Sequence, residues 1–120
     1  MALPIGYGKG APTHPKLART AAFFDYDRHF NELGMRAAKF AYFGLTSFMD
    51  DCVGKILDAL ARSGQAKDTV ICYTSDHGEL LGDHGLWTKQ VMYEASVVVP
   101  MILSGSGIPV GHICHTPVPV

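Results

Sequence analysis

The chain has 120 residues, enough for one domain and one core. Apolar residues make up 48% and charged residues 18%, which excludes a disordered or fibrous polypeptide. The formal net charge is −1 with no basic stripe among aromatics, and no apolar run reaches the ~18 residues of a spanning helix, so neither nucleic acid nor membrane is an expected partner.

Residues 1 to about 20 carry three glycines, three prolines and no periodicity, and read as loop or extended chain. Gly6-Tyr7-Gly8-Lys9-Gly10 is glycine-rich, but no strand precedes it and no helix follows it directly, so it is not read as a phosphate loop. The start shows no basic region leading into an apolar stretch, hence no secretory signal, and the expected address is cytoplasmic. Cys52, Cys72 and Cys114 are odd in number and lack metal spacing; they read as reduced structural cysteines.

A long helix comes next. Apolar residues recur at Ala41, Leu45, Phe48, Cys52, Ile56 and Leu60, widened by Met49, Val53, Leu57 and Ala61. Ser47, Asp51, Lys55, Asp58 and Arg62 line the other side, with Asp51–Lys55 and Asp58–Arg62 in the favourable acid-then-base order. The helix begins near Asn31 or earlier, where Phe30 and Leu33 can join the stripe, and Gly64 suits its left-handed stop. Asp50-Asp51 lies inside this helix and reads as a solvated pair, not a metal site.

Thr69 to Thr74 is a continuous β-branched run of the kind covered on both faces in parallel sheets. A glycine-rich loop follows, then a short turn or helix near Tyr93, then a second strand candidate, Val97 to Leu103, with Pro100 marking an edge or a strand start. The order helix, strand, loop, strand is α/β grammar, in which sites lie just beyond the carboxyl ends of strands. Two strands make a poor complete sheet, so the chain reads as part of a larger α/β protein.

Asp76 and His77 stand at that strand end. Asp76 offers hard oxygens and His77 a borderline nitrogen, a pair suited to calcium, magnesium or manganese, with zinc as an alternative. The competing reading is a capping aspartate with a histidine packed beside it. Lys89 could meet an anionic substrate, or be a solvated lysine. Asp83 and His84 could tie the loop together or stand behind the metal ligands. His77 and His84 do not form the zinc-protease pattern. His112 and His115 flank Cys114 in a Pro/Gly-rich tail and form a weaker metal candidate.

Ser75-Asp76-His77-Gly78-Glu79, Leu81-Gly82-Asp83-His84-Gly85-Leu86-Trp87-x-Lys89, Tyr93-Glu94 and Val99-Pro100-Met101-Ile102 together resemble the sulfatase family of the alkaline-phosphatase superfamily, nearest its choline-sulfatase-, iduronate-sulfatase- and phosphonate-monoesterase-like members. Tyr42-Phe43-Gly44-Leu45, Met49 to Gly54, Gly107-Ile108-Pro109-x-Gly111 and Thr116-Pro117-Val118 extend the resemblance over roughly 37–118. It implies that residues 21–120 are part of a sulfatase catalytic domain, a partial α/β sandwich in which a long helix leads to a parallel-type strand with metal ligands at its end. Asp76 and His77 would hold one divalent metal, calcium first with manganese or magnesium as alternatives. Lys89 would be the catalytic, sulfate-contacting lysine, and the partner a small-molecule sulfate ester. The family's nucleophile, a formylglycine made from Cys, or a Ser, lies in Cys/Ser-x-Pro-x-Arg. That motif is absent from these 120 residues, as are the family's early aspartate pair and the arginine before Val-Pro, which is Val98 here. The sequence therefore leads to a piece of a sulfuric ester hydrolase, with a phosphonate or phosphate ester hydrolase or a non-catalytic module as alternatives.

Overall fold

The computed structural model describes residues 2–9, 14–29 and 31–118. It is a small α/β arrangement of helices and a two-stranded sheet, and it divides into two compact units, Met1–Phe48 with His77–Val98, and Met49–Asp76 with Val99–Val120.

In the first unit, helix α1 (Pro15–Phe23) starts where His14 Nδ1 accepts from the Lys16 amide at 3.3 Å and Pro15 fills the first turn. The stretch 1–20, expected to be loop, is therefore helical from Pro15. The expectation missed it because a proline at a helix start was counted as a breaker. After a left-handed Asp25 (φ 50), α2 (Tyr26–His29) buries the Tyr26 side chain. Helix α3 (Glu32–Arg62) opens with Asn31 Oδ1 accepting from the Gly34 amide at 2.9 Å, an N-cap that explains its start. Phe30, the other candidate for its first turn, lies outside the described residues. Ala21, Tyr26, Leu80 and Leu86 form the core of this unit, with Leu17, Trp87, Val91 and Tyr93 against them. Met35 is buried beside Gly82 and Pro4.

In the second unit α3 runs on from Met49 and stops at Gly64, whose φ of 75° is the left-handed end its sequence suggested. Strand β1 (Val70–Thr74) pairs with β2 (Met101–Gly105), from Val70↔Gly105 to Thr74↔Met101. The pairing is antiparallel, so the parallel-type reading of β1 is not met among the described residues. A continuous β-branched run reports how completely a strand can be covered, not the direction of its neighbour. The second strand also starts later than expected: Val97 ends helix α4 (Glu94–Val97), and β2 begins after Pro100, which has no N–H to give a ladder.

The apolar stripe of α3 is largely bare, with Phe48 64% and Ile56 67% exposed, and every residue of β2 is exposed. Asp50 and Asp51 are solvent-facing, as read from the helix pattern. Among the described residues the ion pairs are Asp25–Arg28 and Glu32–Arg36; the pairs read for Asp51–Lys55 and Asp58–Arg62 are not among them. The three cysteines are free.

Candidate functional site

The boundary between the two units falls between Asp76 and His77. In the second unit Asp76 follows β1 by one residue. It is exposed, and its Oδ1 lies 3.5 Å from the Ser75 hydroxyl. In the first unit His77 is half-buried, with Nδ1 2.7 Å from the Gly78 carbonyl. A carbonyl only accepts, so Nδ1 carries the proton and Nε2 presents its lone pair. This is the tautomer of a metal-ligating histidine, whose other nitrogen donates to a carbonyl. Lys89 Nζ lies 2.5 Å from that Nε2. The ammonium and the imidazole, 12 residues apart, thus meet at one point.

The turn that brings them together is densely tied. Gly78 N–H donates to the Ser96 carbonyl at 2.8 Å, and a Cβ on Gly78 would stand 2.1 Å from the Ala95 oxygen. No side chain fits there. Leu80 and Leu86, each 1% exposed, pin the turn into the core. Leu80 N–H donates to the Thr88 carbonyl at 3.1 Å and Gly82 N–H to the Leu86 carbonyl at 2.9 Å. Three non-glycine residues hold left-handed backbone: Leu81 (φ 48), His84 (φ 58) and Thr88 (φ 68). Each such residue costs about 1–3 kcal/mol and persists only where its surroundings hold it.

Asp83 and His84 tie the turn to the N-terminal segment. Asp83 Oδ1 accepts from the Ile5 amide at 3.0 Å, and the His84 amide donates to the Ile5 carbonyl at 2.7 Å. The His84 ring stacks on Tyr93 at 4.1 Å. Of the two sequence readings for this pair, tying the loop together is the one its contacts display.

Three residues that sequence reasoning passed over shape the ground around Lys89. Glu79 Oε1 accepts from the Thr88 amide at 2.6 Å and the Leu81 amide at 3.2 Å. The Ser96 hydroxyl, on a 3% exposed residue, donates to the Lys89 carbonyl at 2.8 Å. The Tyr26 hydroxyl donates to the Trp87 carbonyl at 3.2 Å. Burial raises the pKa of that phenol, against a lowering hydrogen bond from Thr88, while the nearby Glu79 charge raises it further. A carboxylate directly after Asp-His-Gly was a usable signal for Glu79; Ser96 and Tyr26 carried none.

Among the described residues no group of three His, Cys, Asp or Glu side chains could hold a metal ion, the His112–Cys114–His115 tail included. Asp76 carries hard carboxylate oxygens and His77 a neutral imidazole nitrogen, donor types that suit a divalent cation, but the Nε2 lone pair faces Lys89 here.

Comparison with known proteins gives concordant matches. The sulfatase family profile matches residues 11–118. The choline-sulfatase of Rhizobium meliloti (strain 1021) is 41% identical over 86 residues, 71% of this chain and 17% of the relative. The arylsulfatase of Clostridium perfringens (strain 13 / Type A) is 35% identical over 77 residues, 64% of this chain and 16% of the relative. PehA of Trinickia caryophylli, a multifunctional alkaline phosphatase superfamily protein, is 40% identical over 73 residues, 61% of this chain and 14% of the relative. The chain spans about a sixth of the length of the curated relatives it matches.

Proposed function

The chain belongs to the sulfatase family, and from that premise we propose that it supplies the oxyanion-contacting part of a metal-dependent sulfuric ester hydrolase. The observation that carries the reading is the meeting of Lys89 Nζ with Nε2 of a histidine held in its ligating tautomer.

Lys89 has three N–H donors on a flexible stem. One is directed at His77, which leaves two for oxygens of a sulfate group. There the ammonium offsets the negative charge that grows on those oxygens as the ester bond breaks. The Gly78 carbonyl holds the proton on Nδ1 of His77 and leaves Nε2 as the acceptor that Lys89 meets. A divalent cation, calcium first with manganese or magnesium as alternatives, would take the His77 Nε2 lone pair in place of Lys89 Nζ and share Asp76, acting there as a Lewis acid on the substrate oxyanion and leaving the lysine's donors for the substrate. The nucleophile, a formylglycine in the family, is not encoded in these 120 residues, so the chain by itself is expected to turn over no ester. Phosphate and phosphonate esters present the same tetrahedral oxyanion to the same groups, and the match to PehA keeps them as the second substrate class.

The test is a chimera in which this chain replaces its matching segment in the Rhizobium meliloti choline-sulfatase. Turnover of sulfate ester is expected, with loss on Asp76→Ala, His77→Ala or Lys89→Met. A working chimera indifferent to all three substitutions would sink the reading.

A further inference from the structure

We propose that Glu79 is the positioning residue for Lys89, acting through the backbone of Thr88. The inference rests on the reading that Lys89 meets the substrate oxyanion, and it names the group that sets its place.

A single oxygen, Glu79 Oε1, accepts two backbone N–H groups, Thr88 at 2.6 Å and Leu81 at 3.2 Å. Both of those residues are left-handed, at φ 68° and 48°. Thr88 is β-branched, a residue type that disfavours this region strongly. Nothing in its own chemistry would keep it there. The contact at 2.6 Å is the short, charge-assisted kind, made to the amide of the strained residue itself. Thr88 is also where the chain turns into Lys89: relaxing its φ would swing the following Cα–Cβ direction and carry Nζ away from His77. The Ser96 hydroxyl holds the Lys89 carbonyl, so the lysine is fixed on its carbonyl side by Ser96 and on its amide side through Thr88 by Glu79. The Leu80–Thr88 bond closes the turn but constrains the Thr88 carbonyl, not the φ that decides the direction.

Because one oxygen does the work, geometry and charge are separable. Glutamine at position 79 keeps a carbonyl oxygen in the same place; alanine removes it.

The experiment reads Lys89 in the full 120-residue chain by competitive acetylation and mass spectrometry, with the exposed Lys55 as internal reference. In the wild type Lys89 is expected to react more slowly than Lys55, since its amine is engaged with His77. His77→Ala should bring Lys89 up to the Lys55 rate. Glu79→Ala should do the same, Glu79→Gln should stay at the wild-type rate, and Glu79→Ala with His77→Ala should add nothing to either alone. Thr88→Gly in the Glu79→Ala background should restore protection in part, because glycine takes the left-handed backbone without help. Wild-type protection in Glu79→Ala would overturn the proposal. So would independent, additive effects of the two substitutions, or a Glu79→Ala chain that Thr88→Gly does not repair. The readout needs no substrate. If it holds while Lys89→Met leaves the chimera's turnover intact, the oxyanion reading fails and the positioning stands.

Discussion

Lys89 Nζ stands 2.5 Å from Nε2 of His77 although 12 residues separate them. A cation and a lone pair so placed make a polar point on a turn that Leu80 and Leu86 anchor in the core. In the chimera with the choline-sulfatase, Lys89→Met is expected to lower kcat/KM by about 10²- to 10³-fold, the usual loss when one oxyanion donor is removed. Lys89→Arg should recover little, since a planar guanidinium does not reproduce a compact ammonium. Steady-state rates on an aryl sulfate decide it, and an unimpaired Lys89→Met enzyme would contradict the assignment.

Metal binding by the isolated chain should be weak, because Asp76 and His77 supply little chelation by themselves. Calorimetric titration with calcium and with manganese should show low affinity that Asp76→Ala abolishes. Tight binding, or binding indifferent to that substitution, would place the cation elsewhere.

Gly78→Ala should be severe. The added methyl would lie 2.1 Å from the Ala95 oxygen, and that atom is backbone. Overpacking of this kind costs about 1–3 kcal/mol and often more where the obstacle cannot rotate away. The Gly78–Ser96 bond should open with it. Amide exchange at Gly78 and Ser96 is the readout, and protection equal to wild type would show that the backbone yields.

Tyr26 gives the first unit an alkaline limit. Its pKa is raised in the folded chain, chiefly by burial, so the unfolded state releases the phenolic proton first as pH rises. The stabilisation is complete below the ordinary tyrosine value of about 10 and is lost as pH climbs through the higher folded value. Tyr26→Phe should remove that alkaline loss and give up about 1 kcal/mol at neutral pH, for the bond to Trp87. Tyrosinate absorbance with parallel stability measurements checks both; an unchanged alkaline profile in Tyr26→Phe would refute the claim.

The bare stripe of α3 should make the isolated chain self-associate. Phe48 and Ile56 are 64% and 67% exposed on a helix patterned for burial. Ile56→Lys should reduce association in sedimentation experiments. A monodisperse wild-type monomer that unfolds cooperatively would run against this.

The sequence showed some parts of this molecule clearly and hid others, for physical reasons. The 31-residue helix was legible because its 3.6-residue apolar recurrence is a property of one segment alone. Its two ends were legible for the same reason, through Asn31 and Gly64. The direct contact of His77 with Lys89 was not legible; the family resemblance implied only that the two serve one substrate, and no periodicity links them. The direction of β1 was not legible, because it depends on a partner strand that begins only at Met101. Helix α1 was hidden by Pro15, which breaks a helix inside it and starts one at its edge. Glu79, Ser96 and Tyr26 were missed because each acts on the backbone of a distant residue, and side-chain-to-backbone bonds leave no pattern in composition or spacing.

The family match begins at residue 11, yet Ile5 is stitched by both its amide and its carbonyl to Asp83 and His84. A cut in the backbone beside Ile5 would therefore unlatch the bend that carries the lysine.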